Sequence, residues 1–229
     1  MAEVLTLKKE EANPQSKIEN FMTRNRVLII AIGGILLALA AAVCICVGVI
    51  DSQTKKGINQ VDAIEYEYVR DFAKLSEEEI VTRQNTALEA LKPLLSKKNV
   101  VGVRANMLAA DIAYAKKDFT NSMDYNLAAA RLGKNAYTVP VSYFNAASCC
   151  EELGNNADAA TYYELACEAK SFPLKSHAEF NLGRVKEALG DLDVAAAAYQ
   201  KLVDEFPGDE WANLAQSRLI LLKSSGKIN

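Results

Sequence analysis

The chain has 229 residues, half of them hydrophobic, with 26 Lys and Arg against 29 Asp and Glu and a formal net charge of −3. This mildly acidic balance carries no basic footprint, so nucleic acid is not an expected partner. One His, no glycine-rich phosphate loop and no His-Cys-carboxylate cluster exclude a zinc site, a cofactor and a histidine-activated nucleophile, and the chain reads as no enzyme.

Residues 1–26 are polar and mixed in charge, with Asn13-Pro14 as a breaker, and predict a short cytoplasmic tail. Lys17 to Arg26 could instead form a helical turn on anionic lipid. Val27 to Ile50 is 24 residues without a charge. At about 1.5 Å per residue it makes a helix of roughly 36 Å, enough to cross a hydrocarbon core of about 30 Å. It is too long for the apolar region of a cleaved signal peptide and ends without an Ala-x-Ala-like site. Residues 27–50 are therefore expected to be an uncleaved transmembrane helix.

Lys8, Lys9, Lys17, Arg24 and Arg26 precede the helix, and Lys55, Lys56 and Arg70 follow it closely. Positive-inside asymmetry then puts the N-terminus in the cytoplasm and the bulk of the chain outside it, which is the periplasm if the cell is Gram-negative. Gly34, Ala38 and Ala42 recur every fourth residue within the span, a small stripe suited to contact with another membrane helix. Homo-oligomerisation is left open by it.

Residues 51–75 read as a juxtamembrane amphipathic helix with Val61, Ile64, Tyr68 and Phe72 on one side, and continuation of the membrane helix into it past a polar break at Asp51–Gly57 is left open. Residues 76–229 form the main domain. Ser76 to Glu79 fits a capping box, and Pro93 kinks or ends the helix it starts. From Val100 the pattern becomes periodic. Helices are predicted over 106–115 and 120–132 around a Lys117-Asp118 turn, and over 141–153 and 157–170 around Gly154-Asn155. Asp209 to Lys223 is a first helix without a second behind it, as expected of a solenoid cap.

The most complete unit is 176–209. Phe180 to Leu189 breaks at Gly190-Asp191. Ala195, Tyr199 and Leu202 then recur at helical spacing, and Pro207 stops the second helix. Gly183 and Ala195 let two backbones approach closely. Asp191 is placed to cap the second helix. With Asn181-Leu182-Gly183, Gly190-Asp191, Ala195, Tyr199 and Pro207 at the family's spacing, this stretch resembles a tetratricopeptide (TPR) repeat, and the interval from Pro173 to Pro207 matches that period. Lys186 and Leu202 depart from the aromatic and the Ala common in the family. The resemblance implies an all-α fold: an N-terminal transmembrane helix, then an α-solenoid of TPR-like hairpins with a C-terminal capping helix.

In such arrays the exposed face of the first helices lines a groove. Here that face offers Phe144, Ser148, Glu151, Glu152, Phe180, Arg184 and Glu187 as protein-binding candidates. Phe144 and Phe180 stand where a basic carboxylate clamp would be sought, so an apolar or extended peptide segment fits better than a C-terminal carboxylate. Tyr163 and Tyr199 read as core, and His177 as a solvated helix-start residue. Cys149, Cys150 and Cys167 read as small core residues, with an intermolecular disulfide or reactive thiol at Cys149 or Cys150 as the alternative.

The layout of 20–229 resembles the YfgM-like ancillary proteins of the bacterial Sec translocon. That resemblance implies a membrane-embedded, single-pass adaptor or chaperone-like protein of the inner membrane, whose partners are translocon components, chaperones or client chains. The alternative is a structural scaffold in an envelope or outer-membrane assembly complex.

Overall fold

A computed structural model describes residues 14–134 and 136–228; the tail expected over 1–13 lies outside the described residues. Every regular element among them is helical. Two compact units divide at Gln53/Thr54.

In the first unit, α1 (Pro14–Arg24) starts on the proline, which needs no N–H in a first turn. The chain there is helical, as in the alternative weighed for Lys17 to Arg26. Ile18, Phe21 and Met22 fall on one face of it. After Asn25 comes α2 (Arg26–Val69). Its segment 27–50 is long and apolar enough to cross a membrane, and none of its side chains is buried within the protein. Gly34, Ala38 and Ala42 are exposed, and a Cβ built on Gly34 would meet nothing within 4 Å.

α2 continues through the polar stretch Asp51–Gly57 to Val69, the continuation that the sequence left open. Gly57 serves close packing. A Cβ there would lie 2.7 Å from a Val101 methyl, so the glycine admits the next helix layer. Val61 is buried beside it. Past α2, Asp71 takes a left-handed φ of 56° and leads into one 3-10 turn, Phe72–Lys74. Arg83 closes the end of α2 by donating to the Glu67 and Arg70 carbonyls.

α3 (Glu77–Leu95) opens on the expected capping box, with Ser76 and Glu79 satisfying each other's free backbone donors. Pro93 ends it only two residues later, after the helix has buried Ala87, Leu91 and Leu94. These pack with Val61, Val101, Ala105, Ala109 and Ile112 into one core cluster.

The remaining helices pair as hairpins. α4 (Val100–Ala115) precedes α5 (Phe119–Gly133), and α6 (Thr138–Glu152) precedes α7 (Asn156–Cys167). α8 (Lys175–Ala188) precedes α9 (Leu192–Glu205), and α10 (Glu210–Ser224) follows alone. α4 begins six residues before the periodic segment starting at Asn106, because Asn99 caps it by accepting from the Val101 N–H. Each helix packs on its neighbour in sequence, and α10 lies on both α9 and α8. Its residues Ala212, Ala215, Leu219 and Leu222 complete the last core cluster with Ala195, Tyr199 and Leu202.

Gly154 and Gly190 turn their hairpins with φ of +73° and +83°, and Lys117 makes the equivalent turn with φ 59° despite its side chain. Asn155 and Asp118 cap the second helices with their side chains. Asp191 stands at the same position, but its side chain makes no capping bond. At the tightest crossing, a Cβ on Gly183 would meet the Tyr199 ring at 2.5 Å, so the missing side chain is what lets Tyr199 seat.

Candidate functional site

The first helices α4, α6, α8 and α10 present one continuous face, and its two ends differ. Over α8 and α10 the protein's own aromatic side chains cover it. His177 stacks on Trp211 with ring centroids 3.7 Å apart and planes within 6°. Phe144 meets His177 edge-on at 5.0 Å, and Phe180 packs 5.4 Å from Trp211 and 5.8 Å from Tyr199. His177 is thus half-buried in an aromatic row, where a solvated helix start was expected. Burial is the main cause of a pKa below its ordinary value, helped by the nearby Arg184 charge and opposed by Glu210 and Glu151.

Charged residues on this face are engaged as well. Arg184 on α8 pairs with Glu151 on α6 at 2.6 Å, and Glu151 also accepts from the Tyr163 hydroxyl at 3.1 Å. Asn181 donates to the same hydroxyl at 3.4 Å. One repeat on, Arg218 pairs with Glu187 at 2.5 Å and Glu187 accepts from Tyr199 at 3.3 Å. Each clip therefore ties the first and second helices of one hairpin to the first helix of the next. Burial, and then the adjoining carboxylate, push the Tyr199 hydroxyl up to about 12 and the Tyr163 hydroxyl in the same direction. Both tyrosines remain neutral donors. Of the sequence candidates, Phe180, Glu151, Arg184 and Glu187 are thus held by neighbouring repeats, and Glu152 is exposed.

Over α4, α5 and α6 the face is open. Phe144 and Ser148 line a pocket of about 330 Å³ together with Asp111, Tyr114, Ser122 and Asn126. A second pocket of about 600 Å³ adjoins it through Asp111 and is lined by Val103, Met107, Tyr137, Thr138 and Val141 among others. The two share Asp111 on their walls, and their volumes lie in the range of about 300–1,000 Å³ typical of ligand pockets.

The chemistry of these pockets follows from two departures from the repeat. Asn126 stands nine residues after its turn residue, the position of Tyr163 and Tyr199 in the later hairpins. The shorter side chain leaves space, and although its Nδ2 donates to the Ser122 carbonyl at 3.1 Å, its buried Oδ1 has no partner. Asp111 stands where the later first helices have Ser148 and Arg184, six residues before the turn. Partial desolvation and the neighbouring Glu65 raise its pKa, and no cation enters that balance.

Comparison with known proteins fits this geometry. Residues 151–210 match the tetratricopeptide repeat family model. Over that stretch the chain is similar to a tetratricopeptide repeat. A TPR repeat-containing protein of Treponema pallidum (strain Nichols) is 38% identical over 122 residues, 53% of this chain and 51% of that protein, so the match spans about half the length of this curated relative. Among solved structures, a putative kinesin light chain of Podosopora anserina with nearly identical TPR-like repeats superposes with a TM-score of 0.55 at 11% identity. That superposition covers 74% of this chain and 86% of the other. The apo form of RapI gives 0.52 at 16% identity, covering 68% and 46%. At these identities the likeness is one of fold.

The helical core also places the cysteines. Cys149, Cys150 and Cys167 are free and buried. The Cys149 thiol lies 3.3 Å from the Ser122 hydroxyl, and Cys150 lies 3.5 Å from the Met123 sulfur. Burial raises all three thiols, Cys150 to about 11 and Cys167 to about 12. Such thiols are unreactive and packed as small apolar groups, which removes Cys149 and Cys150 as reactive sites. Asp111, Tyr114 and Asn126 were missed in the sequence reading because they sit in the least regular hairpin. The available signal was the misfit itself, an Asn at a position the other repeats give to Tyr.

Proposed function

We propose that this protein is a membrane-anchored TPR adaptor that holds an extended segment of other proteins in the groove over α4–α6. The observation that carries the reading is that this stretch of the first-helix face is open and carries unpartnered polar groups, whereas its own side chains fill the stretch over α8–α10. The TPR fold supports protein binding in general. The apolar segment 27–50 supports a single-pass anchor, and the basic residues before it support a cytoplasmic N-terminus with the repeats outside, in the periplasm. In this reading Gly34, Ala38 and Ala42 contact a second membrane helix, and the layout fits a chaperone-like module beside the Sec translocon.

A photo-crosslinker replacing Phe144 in intact membranes tests this. The expected products are translocon components or emerging client chains. A single stoichiometric partner would point to an assembly scaffold, and absence of any adduct in membranes where the protein is folded would overturn the groove reading.

A further inference from the structure

Resting on that reading, we propose that the pocket between α4, α5 and α6 is a subsite for the guanidinium of an arginine on the bound segment. The pocket is a gap in a repeating design. In the later hairpins a tyrosine fills the equivalent volume, and an arginine of the next first helix neutralises the glutamate beside it. Here Asn126 replaces the tyrosine, Ser148 replaces the arginine and Tyr114 replaces the glutamate. What remains is a cavity whose one charged lining group is the Asp111 carboxylate, the other polar lining groups being neutral amides and hydroxyls.

Asn126 is 2% exposed, lines the cavity and has an unpartnered Oδ1. A buried amide oxygen left unbonded is costly, and an incoming N–H relieves that cost. Asp111 supplies a carboxylate on the same wall, and its charged neighbour Glu65 is another acid. Arg104 is spoken for, since it pairs with Asp62 at 2.5 Å and reaches Glu65 at 3.8 Å. Phe144 and Tyr114 add aromatic faces on which a planar cation can lie. Separated acceptors beside aromatic rings suit the five donors and flat shape of a guanidinium better than the compact ammonium of lysine or a neutral side chain. The gap thus takes from a partner the cation that Arg184 and Arg218 supply internally further along.

The test uses the full chain in detergent micelles and two fluorescein-labelled peptides, Gly-Ser-Val-Arg-Val-Ser-Gly and the same sequence with citrulline in place of arginine. Citrulline keeps the shape and removes the charge. By fluorescence anisotropy the arginine peptide is expected to bind at least about tenfold tighter, the scale of one charge-assisted contact. Asp111→Asn and Ser148→Arg, the second of which installs the internal cation, are each expected to reduce that preference to less than about twofold. Equal binding of the two peptides, or a preference that survives both variants, overturns the subsite. Circular dichroism checks that both variants fold, and a third variant, Asn126→Leu, removes the acceptor while keeping volume. If Phe144 crosslinks in membranes are obtained and are unchanged by Asp111→Asn, the groove stands and the arginine subsite falls. If wild type gives no crosslinks at all, the groove itself falls.

Discussion

Counted from their turns, the hairpins α4–α5 and α8–α9 place different residues at equivalent positions: Lys117 against Gly190, Asn126 against Tyr199, Asp111 against Arg184 and Tyr114 against Glu187. In the later hairpin each choice favours packing. Gly190 turns without strain, Tyr199 fills the space over Gly183, and the Glu187–Arg218 pair fastens the next helix. In the earlier hairpin each choice gives something up, and the outcome is an open groove with unpartnered polar groups. The repeat is most regular where it is most structural, and its irregularities mark where a ligand can enter.

The strongest way to break this comparison is to truncate the equivalent residues. Tyr199 is fully buried, so Tyr199→Ala is expected to lose about 3–5 kcal/mol of stability, the usual cost of emptying a large aromatic site. Asn126→Ala enlarges an existing cavity and removes an unpartnered oxygen along with one hydrogen bond. Its expected cost is below about 1 kcal/mol. Urea denaturation of both variants decides the matter, and similar losses would mean that the two hairpins carry equal load.

The clips give a smaller contrast. A double-mutant cycle of Glu151→Gln with Arg184→Gln should yield a coupling of about 1 kcal/mol. The bond is charge-assisted, yet Arg184 is 47% exposed and solvent screens part of the attraction. The matching cycle at Tyr114 and Ser148 should give a coupling near zero. A coupling there as large as at the clip would show that the N-terminal repeats are tied by contacts other than ion pairs.

Much of this architecture could be read from residue order. Turns, caps and the 3.6-residue apolar spacing placed every hairpin from 100 to 205, because small residues, tyrosines and turn glycines each have a local reason to stand where they do. The packing role of Gly57 was not legible, because only the Val101 contact in a later helix reveals it. His177 looked solvated because its partners Trp211 and Phe144 lie in neighbouring repeats. Of the groove, Phe144 and Ser148 were found from their place on a regular first helix. Asp111 and Asn126 lie where the motif fades, and whether a polar residue faces a cavity depends on which residue is missing opposite it.

The turn offers a gain where the previous variants bring losses. Lys117 holds a left-handed conformation that costs an L-residue about 1–2 kcal/mol. Lys117→Gly should recover somewhat less than that, about 0.5–1 kcal/mol, since glycine also loses more entropy on folding. A higher thermal midpoint for Lys117→Gly, beside a lower one for Gly190→Ala, would confirm that the two turns share a geometry and differ only in how well their residues suit it.

His177 supplies the smallest effect and bears on what closes the C-terminal end of the face. Its folded pKa lies below the ordinary value because protonation would put a charge into the aromatic row and near Arg184, and Glu210 and Glu151 offset only part of that cost. The unfolded chain therefore binds the proton first, near pH 6.5. Stability attributable to His177 is full above that pH and declines as the pH falls through it and on to the lower folded value. Carboxylates titrate mainly below that window, so a fall in thermal midpoint from pH 7 to pH 5.5 should be shallower in His177→Phe, which keeps a ring against Trp211. If wild type and variant follow the same slope, the imidazole is solvated after all, and the cover over α8 and α10 is looser than the stack implies. If only the wild type declines, acidification weakens the cover over α8–α10 and reaches the α4–α6 groove only through Phe144, which His177 meets edge-on.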